Sequence, residues 1–229
     1  MSTLIINKYI KKLNEKLKED SDNFFYAFRG QPDADYVLDC SASRKFDKNE
    51  KANKDLLKDH QRKLIDDLTI RGLNFSKEKQ SELYDLELLA DLRHYGTPSC
   101  LIDFTSNFLT ALWFACQKAE GQERKSDGKI FILNCYETDK FSVVSSEKLN
   151  REIEYFFDEK FHRFWYWVPE RFNQRLRDQD AVFIFGKPEI KEFEHIVIEN
   201  KDKDKLCDEL EKFFDYTKKT LFSDKYAIG

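Results

Sequence analysis

Four groups of polar residues in this sequence stand next to apolar runs, where a side chain can be held still enough to do chemistry. Arg29 ends the aromatic run 24–28 and is followed by Gly30 and Pro32. A guanidinium at the end of a buried strand needs a counter-charge, because an isolated buried charge is costly. Two partners are open to it: an anionic ligand, which arginine grips with two parallel bonds, or an internal carboxylate such as Asp103. Gly30 would let a ligand approach the backbone. Arg93, His94 and Tyr95 form the second group, at the end of a helix. His94 suits a ribose hydroxyl or a proton transfer, while a helix-end His and a Tyr with its tip in water also need no ligand. In the third group, Asp103 lies between Ile102 and Phe104, where a carboxylate must be bonded. Thr105 and Ser106 follow, either of which is a natural helix N-cap, at a helix start that also suits a phosphate. The structural alternative is that Asp103 only pairs with Arg29 and Thr105 only caps. The fourth group, Arg175, Arg177, Asp178 and Gln179, directly precedes an apolar strand. It is either the lip of a cleft or a charged turn.

The elements that must position these groups centre on one stretch, residues 93–118. A break at Gly96-Thr97-Pro98 leads into a short buried strand over 100–104. A helix over about 106–118 follows, apolar on almost every side through Phe108, Leu109, Ala111, Leu112, Trp113, Phe114, Ala115 and Cys116. A helix with no polar face belongs in the centre of a fold. Elsewhere the pattern predicts an amphipathic helix over 4–19 with Ile5, Tyr9, Ile10 and Leu13 on one stripe. It also predicts strands at 24–29, 129–134, 181–185 and 195–199, helices within 47–70 and 76–95, and a C-terminal helix over 202–218. Residues 138–160 fit no pattern. The aromatic run Phe164–Trp167 could stack a nucleobase, though core packing is the commoner use. Strands and helices alternate without a βαβ rhythm. The reading is α+β: a mixed sheet packed with several helices around the buried central one, as a single domain over 1–229.

Composition narrows the function. The chain has 229 residues, 36% charged and 41% apolar, with 21 Phe. That is a globular protein with a charged surface and a ring-rich interior. A net charge of -4 gives no support for wholesale nucleic-acid binding and leaves a local basic groove open. No apolar run approaches the ~20 residues that span a bilayer. The charged amphipathic start lacks a signal-peptide core, so a cytoplasmic location with no membrane partner is expected. The cysteines at 40, 100, 116, 135 and 207 have no CxxC spacing and read as reduced core thiols. His60, His162 and His195 have no ligand-like spacing, so no metal site is expected. GxGxxG, GxxxxGK, HExxH and GxSxG are all missing.

The ordered polar groups carry a resemblance. Phe28-Arg29-Gly30-Gln31 resembles the F/Y-R-G signature that names the FRG domain family. Arg93-His94-Tyr95-Gly96-Thr97-Pro98, followed by Leu101-Ile102-Asp103-Phe104-Thr105, resembles that family's second signature, RHxGxPTxLLDxT, with Ser99 where Thr is usual. Residues 41–44, 173–183 and the tail 221–224 are similar to further family segments. The resemblance implies a bacterial or phage-related setting and a relation to ADP-ribosyltransferases. Those enzymes use an Arg or His on an early strand, a Ser, Thr or Tyr on a middle one, and a Glu, Asp or Gln on a late one. Arg29, Thr105 and Gln179 fall in that order. The implied activity is an NAD-using toxin or antiphage effector acting on a nucleic-acid or protein acceptor and controlled by an antitoxin or regulatory partner. The implied site has Gln179, His94 and Thr105 as catalytic groups, and Arg29, Gly30, Tyr95, Asp103 and Ser106 around NAD. In it Arg29 holds phosphates or a ribose, Thr105 the nicotinamide ribose, and Asp103 fixes Arg29. The late block around Gln179 holds no Glu in a QxE or ExE pair, which departs from enzymes that modify protein arginine. A reading of a different class is a non-catalytic module that binds a nucleotide or nucleic acid.

Overall fold

The computed structural model describes residues 4–17, 25–46, 53–76, 79–93, 96–118, 126–137, 139–158, 160, 163–170, 174–191 and 193–223. Its strands are β1 (Tyr26–Gln31), β2 (Phe75–Ser76), β3 (Ser81–Glu82), β4 (Ile102–Thr105), β5 (Gly128–Asn134), β6 (Phe141–Val143), β7 (Phe164–Trp167), β8 (Ala181–Phe185) and β9 (Glu194–Ile198). Its helices are α1 (Ile6–Asn14), α2 (Lys54–Ile70), α3 (Asp85–Arg93), α4 (Phe108–Cys116), α5 (Ser146–Leu149), α6 (Gln174–Asp178), α7 (Asn200–Phe214) and α8 (Lys218–Leu221). The class is α+β. Seven strands form one mixed sheet in the order β6-β7-β8-β4-β1-β5-β9, and β2 and β3 make a separate hairpin. Among the described residues only β6 and β7 run parallel. One core cluster includes residues of α2 and α3, and the other gathers α1, α4, α7 and α8.

One discontinuity in the sheet positions the site. β1 and β5 stay in register over six residue pairs, from Tyr26 opposite Asn134 to Gln31 opposite Lys129. β4 and β8 pair over four. Between them, β1 and β4 share a single pair, Phe28 opposite Thr105. Beyond Phe28 the two strands part, and the sheet is split down its middle.

Helix α4 is the buried central helix, somewhat shorter than the 106–118 expected. Its cap is Asn107, whose Oδ1 accepts from Leu109 N (2.9 Å) and Thr110 N (3.4 Å). Thr105 and Ser106, the hydroxyls expected to cap, do not. Thr105 is the last residue of β4, paired across to Phe28 and Ala181, so the chain is still extended there. α4 lies flush on the sheet because two glycines leave room for it. A Cβ on Gly30 would fall 1.8 Å from Ala111 O, and one on Gly128 would fall 2.3 Å from Ala115 O.

Other boundaries move for similar reasons. The buried residues of α1 are Ile6 and Tyr9, whereas Ile10 is exposed. Glu209 of α7 receives the first turn's orphan donors, Ile5 N and Ile6 N, each at 3.0 Å. Tyr9 Oη and Lys8 Nζ both donate to Asp202 at 2.8 and 2.7 Å, tying α1 to α7. The expected C-terminal helix is two, α7 and α8, the second opened by a capping box on Thr217. Residues 138–160 hold β6, α5 and a 3-10 turn over Ile153–Phe157. The aromatic run is β7, with Trp165 and Trp167 buried and Trp165 Nε1 donating to Phe156 O at 3.1 Å; those rings are core and offer no stacking surface. Cys40, Cys100, Cys116 and Cys135 are buried, and Cys207 is half-buried. Burial pushes the Cys135 thiol up to about 12, as suits an inert core thiol. Among the described residues no helix is long and apolar enough to cross a membrane, and no group of three or more His, Cys, Asp or Glu could hold a metal ion.

Candidate functional site

A cavity of about 500 Å³ opens where β1 and β4 part, a size that suits a small-molecule ligand. Arg29 to Pro32 form one wall and Asp103 to Thr105 the other. Thr110 and Phe114 of α4, Arg175 and Leu176 of α6, and Gln179 and Phe222 complete it. The cavity sits where strand ends part, so backbone that would otherwise pair along the sheet borders an open space.

The charge of the cavity runs against that of the chain. Four arginines line it, Arg29, Arg44, Arg93 and Arg175, against one carboxylate, Asp103. Arg93 is fully engaged within the fold. Its Nε donates to Asp103 Oδ1 at 2.7 Å, its Nη2 to Asp103 Oδ2, and its Nη1 to Leu101 O at 2.6 Å and Ser41 Oγ at 3.2 Å. Arg44 pairs with Asp39 at 3.2 Å. The guanidinium of Arg175 lies 4.6 Å from the centre of the Phe222 ring, close enough for a cation–π contact.

Arg29 is left the least compensated. Its Nη1 donates to the Asp103 carbonyl at 2.6 Å, and the Asp103 carboxylate is 3.8 Å away and already committed to Arg93. Its Nε is buried with no hydrogen-bond partner among the described residues. Burial above all pulls its pKa down, the Asp103 charge opposes this, Arg93 and Arg44 add to the pull, and together they bring it to about 10. A half-buried guanidinium with an unmade bond beside other cations favours a negative neighbour.

Two more cavity atoms share this state. Gln31 Oε1 and Thr110 Oγ1 are buried and unpaired among the described residues. Buried polar atoms without partners are rare, and each costs about 1–3 kcal/mol until something meets it. All three atoms belong to residues that border this one cavity.

Of the residues expected from the sequence, Arg29, Gly30, Asp103, Thr105 and Gln179 line this one cavity. Ser106 does not line it: it is exposed, with its N donating to Asp180 O at 3.0 Å. His94 and Tyr95 lie outside the described residues. Gly30 borders the cavity, but the space where its side chain would be is filled by the backbone of α4 rather than left open for a ligand. Asp103 holds Arg29 through its carbonyl and spends its carboxylate on Arg93. Thr105 is buried, its Oγ1 accepting from Asn107 N at 3.0 Å, which leaves its proton free to donate. Gln179 donates from Nε2 to Leu221 O at 2.9 Å.

Gln31, Thr110 and Phe222 carry walls of the cavity that the sequence reading did not assign. The signal for Gln31 was present: two residues beyond Arg29 in a strand is the same face. Thr110 stands in the first turn of α4, reached by counting from Asn107, the true cap.

Residues 25–124 match the family model of the FRG domain. That span holds β1, β4, α4 and the three unpaired atoms, while Arg175, Gln179 and Phe222 come from beyond it. No curated protein and no solved structure matches the chain.

Proposed function

We propose that this FRG-domain chain takes up NAD in the split between β1 and β4 and transfers its ADP-ribosyl group to a macromolecular acceptor, as a toxin or antiphage effector of the cytoplasm under the control of an antitoxin or regulatory partner. The observation that carries the reading is the half-buried, under-compensated guanidinium of Arg29, with its Nε unpaired and the cavity beside it. A diphosphate oxygen supplies the missing counter-charge and the missing hydrogen bond together. The aromatic and aliphatic wall of Phe28, Phe114, Phe183 and Phe222 suits the flat rings of a dinucleotide.

In the reaction, the bond between C1′ of the nicotinamide ribose and the ring nitrogen breaks, and its electron pair leaves with neutral nicotinamide. A nucleophile of the acceptor bonds to C1′ and gives up its proton to water. Arg29 holds the diphosphate, and Thr105 donates its proton to a ribose oxygen. Gln179 turns the negative end of its amide dipole toward the positive charge that develops at C1′. A cavity rich in arginine opposes that charge, so an oriented oxygen near C1′ matters more here than elsewhere.

A second reading, a non-catalytic nucleotide-binding module, is favoured by one observation. The only carboxylate among the described cavity residues has both oxygens on Arg93, which leaves it poorly placed to take the acceptor's proton. One experiment separates the readings: calorimetric titration with NAD, followed by incubation with labelled NAD and cell extract. Binding with nicotinamide release and label transfer supports the enzyme. Binding without either supports the module. An intact chain that binds no NAD removes the proposed NAD transferase.

A further inference from the structure

Gln31 closes β1 and is only 5% exposed, yet its Oε1 has no hydrogen-bond partner among the described residues. Its backbone is held firmly. It pairs with Lys129 of β5, and the next residue, Pro32, has its carbonyl clamped at 2.6 Å by the ammonium of the buried Lys203. Two residues on, Ala34 N donates to Asp127 O at 2.8 Å. An amide on so fixed a backbone, lining a cavity, is placed to read rather than to adapt.

A primary amide presents an acceptor and a donor side by side, and half a turn about its last bond exchanges them. Its complement is another such pair: a carboxamide, or the edge of an amino-substituted base. Glutamine pairs with an adenine edge in this way when it reads a nucleotide. Arg29 and Gln31 lie on one face of β1, about 7 Å apart along the strand. A nucleotide carries its anionic group and its base at opposite ends of a sugar, so it can offer one to each side chain.

We infer that Gln31 is the specificity residue of this cleft, its amide pairing with the carboxamide or amino-base edge of a nucleotide whose diphosphate is held by Arg29. The inference rests on the dinucleotide reading above and goes further by naming the group recognised. Either end of NAD carries that chemistry, the nicotinamide carboxamide or the adenine amino group. Replacing one at a time tells them apart. Nicotinic acid adenine dinucleotide has a carboxylate in place of the carboxamide, and nicotinamide hypoxanthine dinucleotide has a carbonyl in place of the amino group.

The test is calorimetric titration of the full chain and of Gln31→Met with NAD, the two analogues and inorganic pyrophosphate, with melting temperatures to confirm folding. Wild type should bind one analogue at least about tenfold more weakly than NAD, because the mismatched edge leaves the buried amide unsatisfied. The identity of that analogue shows which end faces Gln31. Gln31→Met should remove the preference and leave pyrophosphate affinity within twofold. Wild type binding NAD and both analogues within twofold, or Gln31→Met keeping the preference, would overturn the inference while the dinucleotide reading stands. Pyrophosphate binding without NAD binding would overturn both. If Gln31→Met does not fold, the wild-type series alone decides.

Discussion

Gly30→Ala separates a glycine kept for a ligand from one kept for packing. The new methyl would lie 1.8 Å from Ala111 O and 2.7 Å from Ala115 N, both backbone atoms of α4. Ordinary contact begins near 3.4 Å, so the helix would have to recede by about 1.6 Å at Ala111. No side-chain rotation relieves this, because the obstacle is main chain on a helix whose far side is also buried. Overpacking of well-filled cores costs about 1–3 kcal/mol, and an immovable obstacle belongs at the top of that range or above it. Alanine is preferred to glycine in strands by about 0.5–1 kcal/mol, which offsets part of the cost. A net loss of about 2–3 kcal/mol is expected, or a melting temperature lower by about 5–10 °C for a chain of this size. The same shift carries Thr110 and Phe114 away from the cavity, so ligand binding should fall as well. Gly96→Ala is the control: nothing stands within 4 Å of its Cβ, and only its φ of +79° opposes the change. Urea unfolding of the three proteins measures the difference. If Gly30→Ala unfolds within about 0.5 kcal/mol of wild type, the close seating of α4 on β1 is wrong.

Arg29→Met should abolish NAD and pyrophosphate binding without lowering the melting temperature. Burial opposes its charge and holds its pKa down near 10, and Asp103 keeps Arg93 as its partner, so an apolar side chain at position 29 leaves no carboxylate alone. A clear loss of stability would instead mark Arg29 as a structural residue. Asp103→Asn should destabilise by about 1–2 kcal/mol in urea unfolding, because Arg93 loses its paired acceptor; the estimate is held low because half of the Asp103 side chain is exposed. Pyrophosphate affinity in that variant should not fall, since a negative group has left a cavity meant for an anion, and weaker binding would contradict this assignment. Burial pushes the Asp202 carboxyl up, but bonds from Lys8 and Tyr9 more than reverse this and leave it below its usual 3.8. A lowered acid contributes stability that is present above pH 3.8 and is lost as pH falls through its lower folded value. Urea midpoints measured from pH 5 down to pH 2 should therefore fall less steeply in Asp202→Asn than in wild type, and parallel curves would contradict the α1–α7 tie.

Much of the fold was legible because its cues are local. The run Ala181–Phe185 is a strand with the bounds read from its apolar residues and the Gly186 that closes it. α4 was legible as a central helix because it has no polar side. Its first residue was not, since Thr105, Ser106 and Asn107 are all acceptable caps. The choice falls to Asn107 because Thr105 is held extended by strands from distant parts of the chain. The same limit hid the cleft. Nothing near Arg29 tells that β1 and β4 share one pair and then part. The closer partner of the Asp103 carboxylate was hidden for a related reason. Arg93 lies ten residues earlier, and the turn at Gly96, with its positive φ, is what brings it back to the carboxylate. Arg29 was legible as a cation in need of a counter-charge, since that follows from its place at the end of an aromatic run.

The most direct measurement is a crystal structure of the chain grown or soaked with NAD. The account predicts a diphosphate oxygen within hydrogen-bonding distance of Arg29 Nε, between β1 and β4, with a base or carboxamide edge on the Gln31 amide. Arg29 Nε bonded to a protein atom, or NAD bound away from this cleft, would contradict it.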